Sequence, residues 1–435
     1  MLRASPVLPC LLLAALQLLP ATDVEAKGGT QHESPWARTE RDEDLAVKLV
    51  TFGAGDAVHQ YFGHNALIVE DTRREMQVMY NFGMFGFGAD MLPKYLQGQL
   101  EFWVAATPVR RTFRHYASMN RSIRVVELDL SPASRRRLAD RLAWWALPEN
   151  RNYRYHHYRD NCSTKLRDLL DEAVGGQLRE QQSKPSRLDY RGHTWRYTEH
   201  DPFVHFLLIL WMNDSMEAPI HGWHDAFLPD ELERIVLETR YRDEQGRERA
   251  LAQQSYTVFE AKRADVPRDP GVRVPGVLGA GVLMGAVAVL LGWLARRRGK
   301  LARALFGLHH MVAGVIAGVP GLVLFLFLFT EWKVTHWNEN LWLTNPLTFA
   351  ALPFGVAIAF GSRAALRRME RMWLALVVMG VLALLLKVLP NYDQNNWVPF
   401  ALLLPLNIGF ALGSRLAMGK GLSRAQAPAE ATAQA

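Results

Sequence analysis

Residues 160–176 read Asp160-Asn161-Cys162-Ser163-Thr164 and then KLRDLLDEAVGG. Polar residues precede the cysteine. Leu166, Leu169, Leu170, Ala173 and Val174 then recur at helical spacing until Gly175-Gly176 stops the pattern. The stretch predicts a helix that begins at Cys162, with Asp160 or Asn161 as its cap. A thiol in the first turn of a helix meets free amide groups and the positive end of the dipole. Both favour the thiolate, which is the nucleophile. The alternative is an inert buried cysteine, since free cysteine packs as a small hydrophobe.

The chain has 435 residues and two cysteines. The other cysteine, Cys10, falls in residues 1–26, which read as a signal peptide. Arg3 precedes an apolar core running through Leu11, Leu12 and Leu13 to Leu19, and Val24-Glu25-Ala26 resembles a cleavage site. An uncleaved anchor helix would export the following domain equally well. Cys162 is then the lone thiol of an exported protein, which points to a reactive group or an intermolecular bridge.

Working outward, residues 27–270 are charged and predict an exported α+β domain. Strands are expected at Ala46–Phe52, Asn65–Glu70, Gln77–Asn81, Leu100–Ala105 and Ile123–Leu130, and a helix after Ser131-Pro132. Residues 242–270, rich in charge and ending in Pro267 and Pro270, predict a linker. Residues 271–417 predict an all-α domain of five membrane-spanning helices, roughly Val274–Ala295, Met311–Phe329, Leu341–Phe360, Met372–Leu389 and Trp397–Leu412. Residues 418–435 are expected to form a disordered cytoplasmic tail.

The formal charge of +7 follows from topology rather than nucleic-acid binding, for which no motif exists. Arg296, Arg297, Arg298, Lys300 and Arg303 follow the first span, Arg363, Arg367, Arg368 and Arg371 the third, and Arg415, Lys420 and Arg424 the last. The two other loops are poor in cations. The positive-inside rule puts the catalytic domain outside and the tail inside. Lys387 is expected to reach the interface with its charged end.

A cysteine nucleophile needs a base held by a third polar group. His64, in FGHNAL at the entry of a strand, is the candidate base, and a hydrogen-bonded structural histidine is the alternative. Asn81, in YNFG on the next strand, is the candidate orienting group, because an amide can hold an imidazole tautomer. Asn65 points to the opposite strand face from His64. His156 and His157 are expected to shape the loop before Cys162. The backbone N–H of Cys162 is a natural oxyanion donor, and the sequence names no second one. No metal motif appears, and no cofactor is implied.

A histidine strand followed by a cysteine helix is the order of permuted papain-like domains, and lecithin:retinol acyltransferase-type enzymes are similar. The runs VTFGAGDAVHQYFGHNALIV, YNFG and ENRNYRYHHYRDNCSTKLRDLLD, then AFLPDEL, resemble the exported domain of Lnb-type lipoprotein N-acyltransferases. The resemblance continues into the outer loop from His336 to Trp342 and Asn345-Pro346. It implies a permuted papain-like fold and a thioester mechanism. His64 deprotonates Cys162, a phospholipid is the acyl donor, and the α-amine of a diacylated lipoprotein is the acceptor. It further implies a bacterial inner-membrane protein with a periplasmic catalytic domain, and no catalytic role for His157. In the outer loop, His336, Asn338 and Glu339 are candidates for binding headgroup or amine. The rival readings are a membrane-anchored cell-wall amidase or peptidase with the same Cys/His pair, and a non-catalytic lipid- or protein-binding membrane protein.

Overall fold

The structure, a computed structural model, describes residues 34–86, 91–271, 273–297 and 299–419. The expected signal peptide and nearly all of the expected tail lie outside the described residues. The chain forms two compact units. The first comprises residues up to Lys184 together with Gly222–Arg263, and the second Pro185–His221 together with the chain from Ala264 onward. Residues 185–221, placed by the sequence inside the exported domain, therefore group with the membrane helices.

The first unit is α+β. Its strands are β1 (Leu45–Phe52), β2 (His64–Asp71), β3 (Met76–Met84), β4 (Glu101–Thr107), β5 (Ile123–Leu128) and β6 (Asn152–Arg154), with β9 (Ala252–Phe259) added late in the chain. They form an antiparallel sheet in the order β6-β4-β3-β2-β1-β5-β9. The short pair β7 (Arg240–Arg242) and β8 (Glu248–Ala250) stands apart. Of the stretch expected to be linker, Arg242, Glu248–Ala250 and Ala252–Phe259 are strand. β9 pairs with β5 at the edge of the sheet and is mostly exposed, so it carries polar side chains and lacks the alternation of a half-buried strand.

Alternation does mark the central strands. Leu45, Val47, Leu49, Leu67 and Val69 face one core, and Val50, Phe52, Ala66 and Ile68 face another. The helices α1 (Val109–Ser118), α2 (Pro132–Trp145), α3 (Cys162–Ala173) and α4 (Pro229–Glu238) cover the sheet. α1 supplies Phe113 and Tyr116 to the second core, and the other three pack on the first. Ser131 caps α2 by accepting from the Ser134 N–H at 3.1 Å, and Pro132 stands at its first position. In α3, Leu166, Leu169 and Leu170 are buried, each contributing about 1.5–3 kcal/mol. Gly175 and Gly176, both at positive φ, end the α3 segment.

Among the described residues, the second unit contains five helical segments long and apolar enough to cross a membrane: Val274–Arg297, Lys300–Phe327, Glu339–Ala359, Arg363–Leu386 and Trp397–Met418. All five expected spans are present. The third departs from a continuous helix. It enters as 3-10 turns over Glu339–Trp342 and Pro346–Ala350, and only Ala351–Ala359 is α-helical. Pro346 forces Asn345 into an extended conformation, and the Asn345 side chain then caps the restart by accepting from the Leu347 N–H at 3.0 Å. The helices Tyr190–Thr198 and Pro202–Trp211 belong to this unit. Buried Arg191 donates to the carbonyls of Met212 and Asn213 at 2.8 and 2.9 Å, just past the end of the second of them, and pairs with Glu217 at 2.7 Å.

Candidate active site

Cys162 is the first residue of α3 and is half-buried. A reciprocal capping box fixes the helix start. Asn161 Oδ1 accepts from the Thr164 N–H at 2.9 Å, and Thr164 Oγ1 accepts from the Asn161 N–H at 2.8 Å. The Asn161 amide donates to the carbonyls of His157 and Phe227, each at 2.8 Å, anchoring the cap on both sides. Ser163 Oγ donates to Asn65 Oδ1 at 2.7 Å, and Asn65 Nδ2 donates to Thr51 Oγ1 at 3.0 Å. The helix start is thus stapled to β1 and β2 one residue beyond Cys162. Asn65 does face away from His64, and its role is this staple.

His64 is the first residue of β2. Its ring stacks with Phe52 at 5.9 Å and with Tyr116 of α1 at 6.1 Å. Nε2 lies 3.3 Å from Asn81 Oδ1. Asn81 Nδ2 donates to Thr107 Oγ1 at 2.7 Å, which fixes the amide's orientation. An amide oxygen only accepts, so Nε2 carries the proton in that contact and the Nδ1 lone pair is free for the thiol. Structure and sequence agree in bringing Cys162, His64 and Asn81 together.

The electrostatics favour a nucleophile. Burial pushes the Cys162 thiol up, but the charge and hydrogen bond of His64 outweigh it, with help from the Asn65 backbone and the Ser163 hydroxyl. The thiol is held at about 7, below its ordinary value of 9. His157 has the opposite surroundings. Its ring packs on Phe62, Tyr158 and Phe227, and Nδ1 meets the Tyr155 hydroxyl at 3.3 Å. Burial, and then neighbouring His156, depress it to about 4, so it stays neutral. His156 shapes the loop, exchanging backbone hydrogen bonds with Asp160.

Gly83 was not singled out by sequence. It sits where β3 bulges between Asn81 and Met84, at φ +90°. A β-carbon there would lie 3.5 Å from Cβ of Cys162, 3.8 Å from the Tyr153 hydroxyl and 3.9 Å from Cε1 of His64. Glycine therefore leaves an atom-sized space flanked by Cys162 and His64. The sequence signal was the glycine ending YNFG.

The outer-loop candidates sit in the second unit. Asn338 is buried and donates to the carbonyls of Leu210 and Trp211 at 3.1 and 2.9 Å. Buried Glu339 pairs with Lys387 and accepts from the Gln394 N–H at 3.1 Å. Lys387 thus has a carboxylate partner in Glu339 and also donates to the Gln394 carbonyl. His336 is half-buried, with Nε2 2.9 Å from the Thr330 carbonyl. Among the described residues, no cluster of histidine, cysteine, aspartate and glutamate is placed to hold a metal ion.

Residues 32–200 match the family model of the Lnb N-terminal periplasmic domain. No curated protein and no solved structure matches the chain. The domain match and the five apolar helices support a multi-pass membrane protein with a periplasmic domain.

Proposed function

We propose that this chain is a lipoprotein N-acyltransferase of a bacterial inner membrane. It moves an acyl chain from a phospholipid, through a thioester on Cys162, to the α-amine of a diacylglyceryl-cysteine lipoprotein. The observation that carries the reading is the Cys162–His64–Asn81 constellation, with a thiol held at about 7. The periplasmic-domain match and the five apolar helices favour lipid substrates over soluble ones.

In the first half-reaction His64 holds the thiol proton. The thiolate attacks the ester carbonyl, and the tetrahedral intermediate expels the lysophospholipid alkoxide, which takes the proton from His64. In the second, the neutral amine attacks the thioester, His64 accepts its proton, and the Cys162 thiolate leaves. Asn81 keeps Nδ1 aimed at the sulfur throughout.

The test uses the purified full chain with phosphatidylethanolamine vesicles and a diacylated lipopeptide. Mass spectrometry should find a hydroxylamine-labile acyl group on Cys162, then a triacylated lipopeptide and lysophospholipid. Acetylating the lipopeptide amine should stop transfer but leave Cys162 acylated. Cys162→Ala should lose both steps. Cleavage of cell-wall peptides with lipopeptide untouched would replace the reading with an amidase. A Cys162→Ala protein that still supports lipoprotein maturation would replace it with a binding protein.

A further inference from the structure

Tyr153 stands nine residues before the nucleophile in β6, opposite Phe102 of β4. Its ring packs against Phe82 at 6.2 Å, and Lys165 Nζ lies 5.2 Å from the ring centroid. Its hydroxyl is buried and has no hydrogen-bond partner. Other buried tyrosines are provided for. Tyr80 accepts from Trp36 Nε1 at 3.0 Å, and Tyr241 donates to the Asp129 carbonyl at 2.7 Å. A buried hydroxyl without a partner costs about 1–3 kcal/mol, so its retention calls for a use.

The hydroxyl borders the space left open by Gly83, on the rim shared with Cβ of Cys162 and the His64 ring. The Gly83 N–H faces the phenol oxygen without reaching hydrogen-bond geometry, so the phenol proton is free to be donated. Burial first, and then the nearby Cys162 thiolate, push Tyr153 well above its ordinary range, which keeps that proton in place.

We infer that the Tyr153 hydroxyl is the second oxyanion donor, acting beside the backbone N–H of Cys162. The inference rests on the acyl-transfer reading of the site. As the Cys162 sulfur bonds to the acyl carbon, the carbonyl π electrons move onto oxygen, which lies in the space beside Gly83. The Tyr153 O–H donates a hydrogen bond to that oxygen and keeps its proton. When the carbonyl re-forms, the C–O bond to the leaving group breaks and His64 protonates the departing oxygen. A donor with no partner in the resting state is matched to a charge present only in the transition state.

Tyr153→Phe keeps the ring and removes only a hydroxyl that holds nothing in the fold. The full-length enzyme is reacted in single turnover with the p-nitrophenyl ester of a fatty acid, and p-nitrophenol release and the Cys162 adduct are followed. Iodoacetamide alkylation of Cys162, which has no tetrahedral intermediate, is measured alongside. Acylation should fall by about 100- to 1,000-fold, the usual cost of one oxyanion donor, while alkylation is unchanged. Unchanged acylation would overturn the inference, and so would an equal loss in both reactions, which would make Tyr153 a support for the thiolate. A wild-type enzyme that takes no acyl group from the ester, yet is alkylated, would remove the acyl-transfer reading and this inference with it.

Discussion

The two units use glycine in opposite ways. In the α+β unit, the missing β-carbon of Gly83 leaves a space that nothing in the protein fills, bordered by Cys162, His64 and Tyr153. In the membrane unit the corresponding space is filled by a neighbouring helix. A β-carbon at Gly285 would lie 2.6 Å from the Pro405 carbonyl oxygen, and one at Gly409 would run into the backbone of Gly285. Two sets of polar groups contrast in the same way, although unpartnered buried atoms such as Asn345 Nδ2 and Asn407 Nδ2 also occur in the membrane unit. Tyr153 has a hydroxyl without a partner, whereas Asn338, Glu339 and Gln394 are bonded to one another, to Lys387 and to chain carbonyls. Residue type alone does not separate site from scaffold. What marks Tyr153 is an unused hydroxyl together with the space beside Gly83.

The largest expected effect tests the scaffold side. Glu339→Ala leaves the Lys387 ammonium without its carboxylate, and should lower stability by up to about 3–5 kcal/mol, read by unfolding in detergent. Glu339→Gln keeps the shape and should lose less. A Glu339→Ala protein of normal stability that fails only in transfer to lipopeptide would return Glu339 to the substrate-binding set and break the comparison.

A pair of alanine substitutions sharpens it. Gly83→Ala puts a methyl group in the open space and a β-carbon on a left-handed backbone. The strain costs about 1–2 kcal/mol, but the larger effect should be on acylation, about 100-fold, as expected for a misplacement of about 1 Å. Gly285→Ala must push two helices apart and should cost about 1–3 kcal/mol of stability, with iodoacetamide alkylation of Cys162 unaffected. Full acyl transfer by Gly83→Ala would mean that the reacting carbonyl does not pass that point.

Much of this was legible in the sequence, for stated reasons. Helix α3 announces itself through its cap, its leucine spacing and its double-glycine stop. His64 stands out because it follows Gly63 at the entry of a strand, and Asn81 because it is a polar residue between aromatic ones, two before Gly83, on the next strand. The five spans follow from length and hydropathy. Edge strand β9 was missed because its side chains are mostly solvated and carry no alternation. The interrupted third span was missed because an Asn-Pro step in an apolar run changes backbone geometry more than average hydropathy. Tyr153 lay in an aromatic run, YRYHHY, where nothing in residue type separates it from Tyr155. Only the hydrogen-bond partner of Tyr155, His157, and the lack of one at Tyr153 distinguish them.

The smallest effect is the most direct measure of the site's electrostatics. The Cys162 thiol is held at about 7 against burial, chiefly by His64. At pH 7 roughly half of it is thiolate, against roughly one part in a hundred for a thiol at its ordinary value. Because the folded value is depressed, the stability that the thiolate contributes is present above the ordinary thiol range and is lost as pH falls through about 7. Iodoacetamide alkylation of the wild type should rise with pH through a midpoint near 7. His64→Ala removes both the charge and the hydrogen bond, so its midpoint should move up toward 9 or beyond. The rate at pH 7 should drop by up to about 50-fold, less the gain in intrinsic nucleophilicity that accompanies a higher pKa. Tyr153→Phe should leave the midpoint near that of the wild type, which would separate thiolate activation by His64 from oxyanion stabilisation by Tyr153. A wild-type midpoint near 9 would mean that His64 does not activate the sulfur, and the open space beside Gly83 would then adjoin an ordinary thiol.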